Sequence, residues 1–359
     1  MRRLDLWLFG ATVLLVLSGL LMLYSITYDS PSPLLLRQSI FFAVGLLLLF
    51  GLGTFDYRFF RKVSVLFYIL AVLLLAAVLF IGLNIKGSVR WFDLGLFPLQ
   101  PVEVMKLALI IFLAGFFKKR LTQVKEFKTV LVSGLFAGVP IALTLMQPDL
   151  GSAMVLFFIW LGLLLVAGAK KKHLVWLALI FVFIATVAWF FFLHDYQKSR
   201  LTTFLDPASD PKGRGYNAIQ AVIAVGSGGV FGRGLARGVV SQLRFLPERQ
   251  TDFIFASLAE ELGLVGVGLL LFLFGVWLFR IVRVIGASRE NFGAFVASGI
   301  FFCFFSQSLI NIGMNIGLLP ITGIPLPLVS YGGSSLIMAL VSVGVLQSIV
   351  TYAQPVGFD

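Results

Sequence analysis

The feature that most constrains this fold is a series of apolar runs, each long enough to cross a bilayer as a helix of about 20 residues. The sequence predicts ten spans, near 6–24, 38–55, 64–83, 102–117, 129–147, 151–169, 173–193, 261–280, 292–313 and 333–352. Segments that cross the lipid must satisfy their backbone polar groups internally, so such runs fold as helices. We therefore predict an all-α polytopic membrane protein in which residues 1–359 form one integral-membrane domain.

Composition excludes an ordinary soluble enzyme. The 359 residues are 59% hydrophobic and only 12% charged, whereas a soluble domain carries about 25% charged residues. Cys303 is the only cysteine, which excludes an intrachain disulfide. The two histidines, His173 and His194, are isolated, and no zinc-site spacing is present.

The distribution of positive charge predicts the orientation in the membrane. The short loops on one side carry most of the Lys and Arg residues, namely Arg2, Arg3, Arg58, Arg61, Lys62, Lys118–Arg120, Lys125, Lys128, Lys170–Lys172, Arg280, Arg283 and Arg289. Because cytoplasmic loops are enriched in Lys and Arg, this side is predicted to be cytoplasmic, as are both termini. The net charge of +12 therefore reflects membrane orientation and does not indicate nucleic-acid binding.

The opposite, extracytoplasmic side carries the irregular segments of the chain. These are 84–101, the turn at 147–149, the large loop 194–258 between the seventh and eighth spans, and the Gly/Pro-rich segment 314–332. Long irregular loops are usually functional, so we expect the working surface on this side. Positive residues in the large loop, where the orientation rule does not call for them, favour an anionic ligand.

One stretch within this loop, FLPERQTDFIFASLAEELG at 245–263, contains the strongest catalytic candidate. Asp252 precedes a long apolar run. Desolvation there favours the protonated carboxyl, which suits Asp252 to accept a proton from a substrate. The alternative interpretation is that Asp252 only caps the following helix.

Upstream, GSGGVFGRG at 226–234 does not follow a buried strand, so it is not a dinucleotide motif. Its glycines instead allow tight turns and close approach of the backbone to substrate or membrane.

Two further polar pairs lie in apolar surroundings. Glu103 and Lys106 are three residues apart, so they share a helix face. They form either an internal ion pair or a cationic site for an anionic substrate, and a pair that lines a cavity could do both. Asn311 and Asn315 border the Pro/Gly-rich return, which we interpret as a re-entrant loop on the cavity wall, and they could satisfy its backbone groups.

Several long motifs together resemble one known family. They are SVRWFDLG, QPVEVMK, QPDLGSA, DPKGRGYNAIQAVIAVGSGGVFGRG, FLPERQTDFIFASLAEELG and LLPITGIPLPLVSYGGSS, in this order over nearly the whole chain. The sequence is similar to the SEDS family (shape, elongation, division and sporulation). Its motif sequences resemble those of the elongation members more than those of the division members.

The resemblance implies a peptidoglycan glycosyltransferase that polymerises lipid II at the outer face of the bacterial cytoplasmic membrane. It also implies a class B penicillin-binding protein as partner, besides membrane lipids. By motif, the essential acidic residue of the family corresponds to Asp252, and its cavity-lining Glu and Lys correspond to Glu103 and Lys106. At Val102 the chain differs from the family's usual Gln-Pro-Ser-Glu motif, which has a serine at this position.

In the mechanism that the resemblance implies, Asp252 is the general base. The cations expected to stabilise the leaving pyrophosphate are Lys106, Arg90, Arg200 and Arg249. A divalent cation, Mg²⁺ or Mn²⁺, could bind the pyrophosphate with Asp252 as a ligand, and no other cofactor is expected. The competing hypotheses are a lipid II flippase or transporter and a non-catalytic scaffold.

Overall fold

The computed structural model describes residues 4–28, 32–85, 88–93, 95, 98–177, 179, 203–207, 210, 213–242 and 245–353. Most of these residues are helical. In chain order the helices are α1 (Leu6–Thr27), α2 (Leu34–Thr54), α3 (Arg58–Ile81), α4 (Pro101–Lys119), α5 (Phe127–Met146), α6 (Leu150–Val166), α7 (Arg214–Ser227), α8 (Val239–Gln242), α9 (Ile254–Ala287), α10 (Asn291–Asn315) and α11 (Gly333–Tyr352). A short 3₁₀ helix covers Gln123–Lys125, and 171–177 is also helical.

Seven of these helices, α1, α2, α3, α5, α9, α10 and α11, are long and apolar enough to cross a membrane. Helix α6 lies where the span 151–169 is predicted, but it has only 17 residues. Helix α4 has the length but carries four charged side chains. The predicted span 173–193 lies mostly outside the described residues. The structure therefore supports a polytopic, mainly helical membrane protein.

Helix α4 lies inside the bundle, which explains how it tolerates its charges. From Pro101 to Phe117 every residue except Val104 is buried, and the helix packs against α3, α6 and α10. A helix buried all round needs no lipid-facing stripe. Its ionisable residues therefore contact protein rather than lipid, as such residues in membrane helices usually do.

The expectation of a purely helical fold requires one correction, because a small antiparallel sheet follows α3. Its strands are β1 (Leu83–Ile85), β2 (Ser88–Asp93) and β3 (Pro98–Leu99), in the order β1-β2-β3. Leu83 pairs with Trp91, and Phe92 pairs with Leu99. Three strands of two to six residues are too short to produce a clear alternating pattern, although Val, Trp and Phe in β2 favour extended backbone.

The basic clusters assigned to one side of the membrane meet at one end of the bundle. The Glu290 carboxylate accepts contacts from Arg58 Nε at 2.7 Å, Lys118 Nζ at 2.8 Å and Arg61 Nη1 at 3.4 Å. The hydrogen bond from Lys118 lowers the pKa of the Glu290 carboxyl below its ordinary value. Because α4 ends beside Glu290, its beginning at Pro101 marks the opposite end of the bundle.

The glycine-rich loop after α7 packs directly on the backbone of α9. Arg233 N donates to Glu260 O and Gly234 N donates to Glu261 O, both at 3.0 Å, while Leu264 N donates to Gly229 O at 2.9 Å. Helix α9 is kinked at Gly263, which has a φ of 64°. The glycines do allow close backbone approach, but the partner is α9, whereas the sequence predicted substrate or membrane.

We expect Gly232→Ala to loosen this loop. A Cβ at Gly232 would overlap the carbonyl oxygen of Glu261, and φ is +79°. A non-glycine residue in this backbone region costs about 1–3 kcal/mol. Limited proteolysis and thermal unfolding in detergent should show faster cleavage within 228–240 and a lower Tm. Gly226→Ala is the matched control, because its Cβ meets nothing within 4 Å; equal behaviour of both variants would contradict the close-approach explanation.

Candidate active site

A cavity of about 950 Å³ opens at the end of the bundle opposite Glu290. Its wall combines the sheet, the start of α4 and α6, the turn before α9, and the segment between α10 and α11. The residues on its surface include Phe41, Arg90, Trp91, Gln100, Glu103, Pro148, Ser152, Glu248, Thr251, Asp252, Gln307, Thr322, Gly323, Tyr331, Gly332, Gly333, Ser334 and Ser335. The irregular segments predicted for the extracytoplasmic side therefore converge on one site.

Helices α4, α6, α9 and α11 all begin at this cavity. The N-terminus of a helix carries partial positive charge and unpaired backbone N–H groups, so it favours anions. The negative Asp149 side chain caps α6 by accepting from Ser152 N at 3.0 Å. Helix α11 starts at Gly332 without a side-chain cap, and Gly332 to Ser335 line the cavity. The start of α11 is therefore a candidate backbone site for an anionic group.

Asp252 lies on the cavity wall with its backbone firmly held. Its carbonyl oxygen accepts hydrogen bonds from Asn311 Nδ2 and Asn315 Nδ2, both at 3.0 Å. Ser330 Oγ donates to the preceding carbonyl of Thr251 at 2.6 Å. Asn311 Nδ2 also donates to Ile324 O at 2.7 Å, which confirms for Asn311 the expectation that it satisfies backbone groups of the Pro/Gly-rich return. Asn315 Nδ2 instead donates to the backbone of Asp252 and Asn311. Such bonds fix the place from which the carboxylate reaches the cavity.

The alternative interpretation of Asp252 as a helix cap does not fit the structure. The N-cap of α9 is Phe253, whose side chain makes no capping hydrogen bond, and in the first turn Ala256 N donates to Asn315 Oδ1 at 3.1 Å. Across the cavity wall, a Cβ placed on Gly323 would lie 3.6 Å from Asp252 Oδ2, and Gly323 has a φ of +76°. The glycine thus leaves space beside the carboxylate for another molecule.

Glu103 and Lys106 form an ion pair at the floor of the cavity. Lys106 Nζ lies 2.7 Å from Glu103 Oε2, and their side chains are only 5% and 7% exposed. Glu103 lines the large cavity, but Lys106 lines only a void of about 20 Å³ beneath it, together with Cys303 and Gln307. This void has room for about one water molecule. The predicted ion pair is therefore present, and Glu103 is its member on the surface of the large cavity.

Arg90 lies on the cavity wall, where it ties the sheet to the start of α6. Its Nε donates to Gln147 O at 2.9 Å, its Nη2 donates to Pro148 O, and its Nη1 lies 3.6 Å from Asp149 Oδ2. These contacts orient the guanidinium. Arg90 is the predicted cation that the structure places directly on the cavity surface.

The other two predicted cations have different locations. Arg249 is 9% exposed, and its Nη2 donates to the Ile26 carbonyl of α1 at 3.2 Å. It is not part of the cavity surface, so its position indicates an anchor for the loop rather than direct substrate contact. Arg200 lies outside the described residues. The cavity thus brings together Asp252, Glu103 and Arg90.

Sequence reasoning missed several residues that shape the site. Gln307 of α10 lines both the cavity and the small void; a polar residue in an apolar run was a usable signal. Glu260 and Glu261 are fully buried. Glu260 Oε1 accepts from Val240 N at 2.8 Å, and Glu261 Oε2 accepts from Ser25 Oγ. These carboxylates hold the outer loop in place, which the sequence did not reveal.

A metal ion would find few protein ligands here. Within the part of the chain that the structure describes, no three His, Cys, Asp or Glu side chains form a metal-binding group. A divalent cation at Asp252 would therefore be held mainly by phosphate oxygens of the substrate, an arrangement that Mg²⁺ commonly uses.

Comparisons with known proteins agree with these observations. The family model of the FtsW/RodA/SpoVE cell cycle proteins matches residues 4–354. The chain is 38% identical to the peptidoglycan glycosyltransferase MrdB of Escherichia coli (strain K12) over 346 residues, which cover 95% of this chain and 93% of MrdB. It is 39% identical to the stage V sporulation protein E of Bacillus subtilis (strain 168), over 98% of both proteins.

Solved structures show the same architecture. A chain of a peptidoglycan synthase complex that coordinates polymerization and crosslinking aligns with a TM-score of 0.85 and 34% identity, covering 98% of this chain and 99% of that chain. The rod shape determining protein RodA of Thermus thermophilus aligns with a TM-score of 0.74 and 29% identity, covering 98% of both chains. With the motifs and the cavity, these matches confirm the SEDS resemblance: this chain belongs to the FtsW/RodA/SpoVE family.

Proposed function

We propose that this chain polymerises lipid II into glycan strands during cell elongation, with Asp252 as general base at the outer face of the bacterial cytoplasmic membrane. Its family and its relatives identify it as a peptidoglycan glycosyltransferase of this multi-pass membrane family. The observation that carries the residue assignment is the position of Asp252 on a cavity framed by helix N-termini.

The proposed topology has ten spans, cytoplasmic termini and an extracytoplasmic loop at 194–258. Helix α4 supports this arrangement because it connects the cavity to the cationic cluster around Glu290. Cations concentrate on the cytoplasmic side of membrane proteins, so the cavity faces outward.

In the proposed reaction, the 4-hydroxyl of the acceptor sugar attacks the anomeric carbon of the lipid-linked donor sugar. Asp252 takes the hydroxyl proton as the new C–O bond forms, because a neutral hydroxyl is a weak nucleophile. The bond between the anomeric carbon and the pyrophosphate oxygen breaks, and the electron pair leaves with undecaprenyl pyrophosphate. A single displacement of this kind inverts the anomeric centre and needs one base.

The leaving pyrophosphate gains negative charge, and the cavity offers preorganised groups to stabilise it. Helix α11 begins at the cavity without a side-chain cap, so the positive end of its dipole lies on the cavity wall. Arg90 adds a cation oriented by three contacts on the opposite wall. Preorganised groups of this kind lower the barrier because they need no rearrangement as charge develops.

The other predicted residues take supporting roles in this proposal. Lys106 orients the Glu103 side chain at the cavity floor through their 2.7 Å contact. Arg249 anchors the loop that carries Asp252 to α1. A divalent cation, Mg²⁺ or Mn²⁺, would neutralise the pyrophosphate when bound, with Asp252 as its protein ligand.

We also propose a class B penicillin-binding protein as the partner. The related chain in a peptidoglycan synthase complex supports this, because that complex combines polymerization with crosslinking. Membrane lipids contact the exposed apolar side chains of the outer helices, such as Leu47, Leu73 and Phe272.

The purified chain in detergent, incubated with labelled lipid II and the transpeptidase partner, is expected to form glycan polymer without any ion gradient. Gel electrophoresis of the products measures this directly. A lipid transporter would instead move lipid II across a vesicle membrane without forming polymer. A scaffold would leave lipid II unchanged, and either result would refute the proposed function.

A further inference from the structure

A second, apolar groove lies beside the catalytic cavity. It has a volume of about 410 Å³ and lies between α7, the segment 203–207 and the segment 314–321. Phe204, Ile219, Val222, Ile223 and Leu319 contribute most of its apolar surface. The reaction steps described above leave this groove without a role.

The groove is held open by a rigidly placed helix. On one side of α7, Ala221 and Ala224 are fully buried in a cluster with Phe253 and Ala256, at the turn that carries Asp252 and the start of α9. On the other side, Val222 and Ile223 remain 45% and 48% exposed. Packing thus fixes the helix while its apolar side faces the groove.

The groove continues into the catalytic cavity. Ile321 lines both of them, and the next residues, Thr322 and Gly323, lie on the cavity wall. Gly323 faces the carboxylate of Asp252. A molecule that extends along this wall would therefore have an apolar part in the groove and a polar part at the reacting centre.

The outer edge of the groove is accessible from the lipid phase. Leu318 is 69% exposed and Leu205 is 75% exposed. Exposed apolar side chains next to a membrane helix bundle contact hydrocarbon, so a lipid chain can enter laterally without crossing water.

We propose that this groove binds the isoprene units nearest the pyrophosphate of a polyprenyl-linked sugar substrate. The inference rests on the proposed function, because that function places the pyrophosphate in the adjoining cavity. A membrane phospholipid has two acyl chains and one phosphate diester, whereas a polyprenyl pyrophosphate has a single chain and two linked phosphates, which fits one groove beside a cavity that several helix N-termini and Arg90 line. The groove takes only the first part of the long chain, and the remainder stays in the bilayer.

Filling the groove tests this assignment. Val222→Trp should raise KM for lipid II by about tenfold, equivalent to about 1.4 kcal/mol, with kcat little changed. Such a loss corresponds to about two buried methylene groups. Val239→Trp is the matched control, because Val239 has the same 45% exposure on the same outer loop and lies outside the groove. Equal KM values for the two variants would overturn the proposal.

A second measurement uses the unaltered protein. A lipid II analogue with a diazirine in the isoprene unit next to the pyrophosphate should label the peptide that contains Val222 and Ile223. Unlabelled lipid II should suppress this labelling, whereas phosphatidylglycerol vesicles should not. Suppression by phosphatidylglycerol, or labelling elsewhere only, would refute the groove as a polyprenyl site. If the chain makes polymer yet does not label here, the groove inference fails while the proposed function stands.

Discussion

Asp252→Asn is expected to reduce lipid II polymerisation by about 10²–10⁴-fold, the usual contribution of a general base. The amide keeps the size and most hydrogen bonds of the side chain but cannot accept the hydroxyl proton. The backbone at this position is held by hydrogen bonds from Asn311 and Asn315, and asparagine matches aspartate in size, so we expect folding to be retained. Initial rates of polymer formation and the thermal midpoint in detergent measure the two effects separately.

Two control variants sharpen this prediction. Asp93→Asn removes an exposed carboxylate of β2 that accepts a hydrogen bond from Gly95 N at 2.8 Å, and it should leave the rate nearly unchanged. Glu248→Gln removes a second acidic residue from the same cavity wall and should have a smaller effect than Asp252→Asn. If Glu248→Gln causes the larger loss, the base is Glu248 and the assignment is wrong.

Local patterns predicted the bundle well because the length of an apolar run is a property of contiguous residues. The predicted spans at 6–24 and 333–352 correspond to Leu6–Thr27 and Gly333–Tyr352. The short sheet was missed because its stability comes from pairing between strands, which a single short strand does not reveal. The outer loop ends earlier than the predicted residue 258, because α9 begins at Ile254.

The same difference between local and long-range contacts explains which features of the site could be predicted. Glu103 and Lys106 could be paired from sequence because helix periodicity fixes residues three positions apart. Which cation reaches the cavity depends on contacts between distant segments. Arg90 meets the turn at 147–149, whereas Arg249 meets α1. No local pattern in the sequence encodes these partners, so charge alone does not predict which cation lies on the cavity surface.

The buried pair at the cavity floor gives the second large effect. Lys106→Met is expected to destabilise the protein by about 3–5 kcal/mol, because it leaves the buried Glu103 carboxylate without its countercharge. Arg61→Met is the matched control: Arg61 is 39% exposed in its contact with Glu290, and loss of such a surface pair costs about 0–1 kcal/mol. Unfolding in denaturant, followed in detergent, compares the two variants.

The double variant Glu103→Gln with Lys106→Met separates stability from catalysis. Removal of both charges avoids an unpaired buried ion, so most of the stability should return. Polymerisation should remain low, because the Glu103 carboxyl group on the cavity surface is lost although the fold is restored. A double variant that regains both stability and normal polymerisation would show that the pair serves only the fold, and would remove Glu103 and Lys106 from the substrate site.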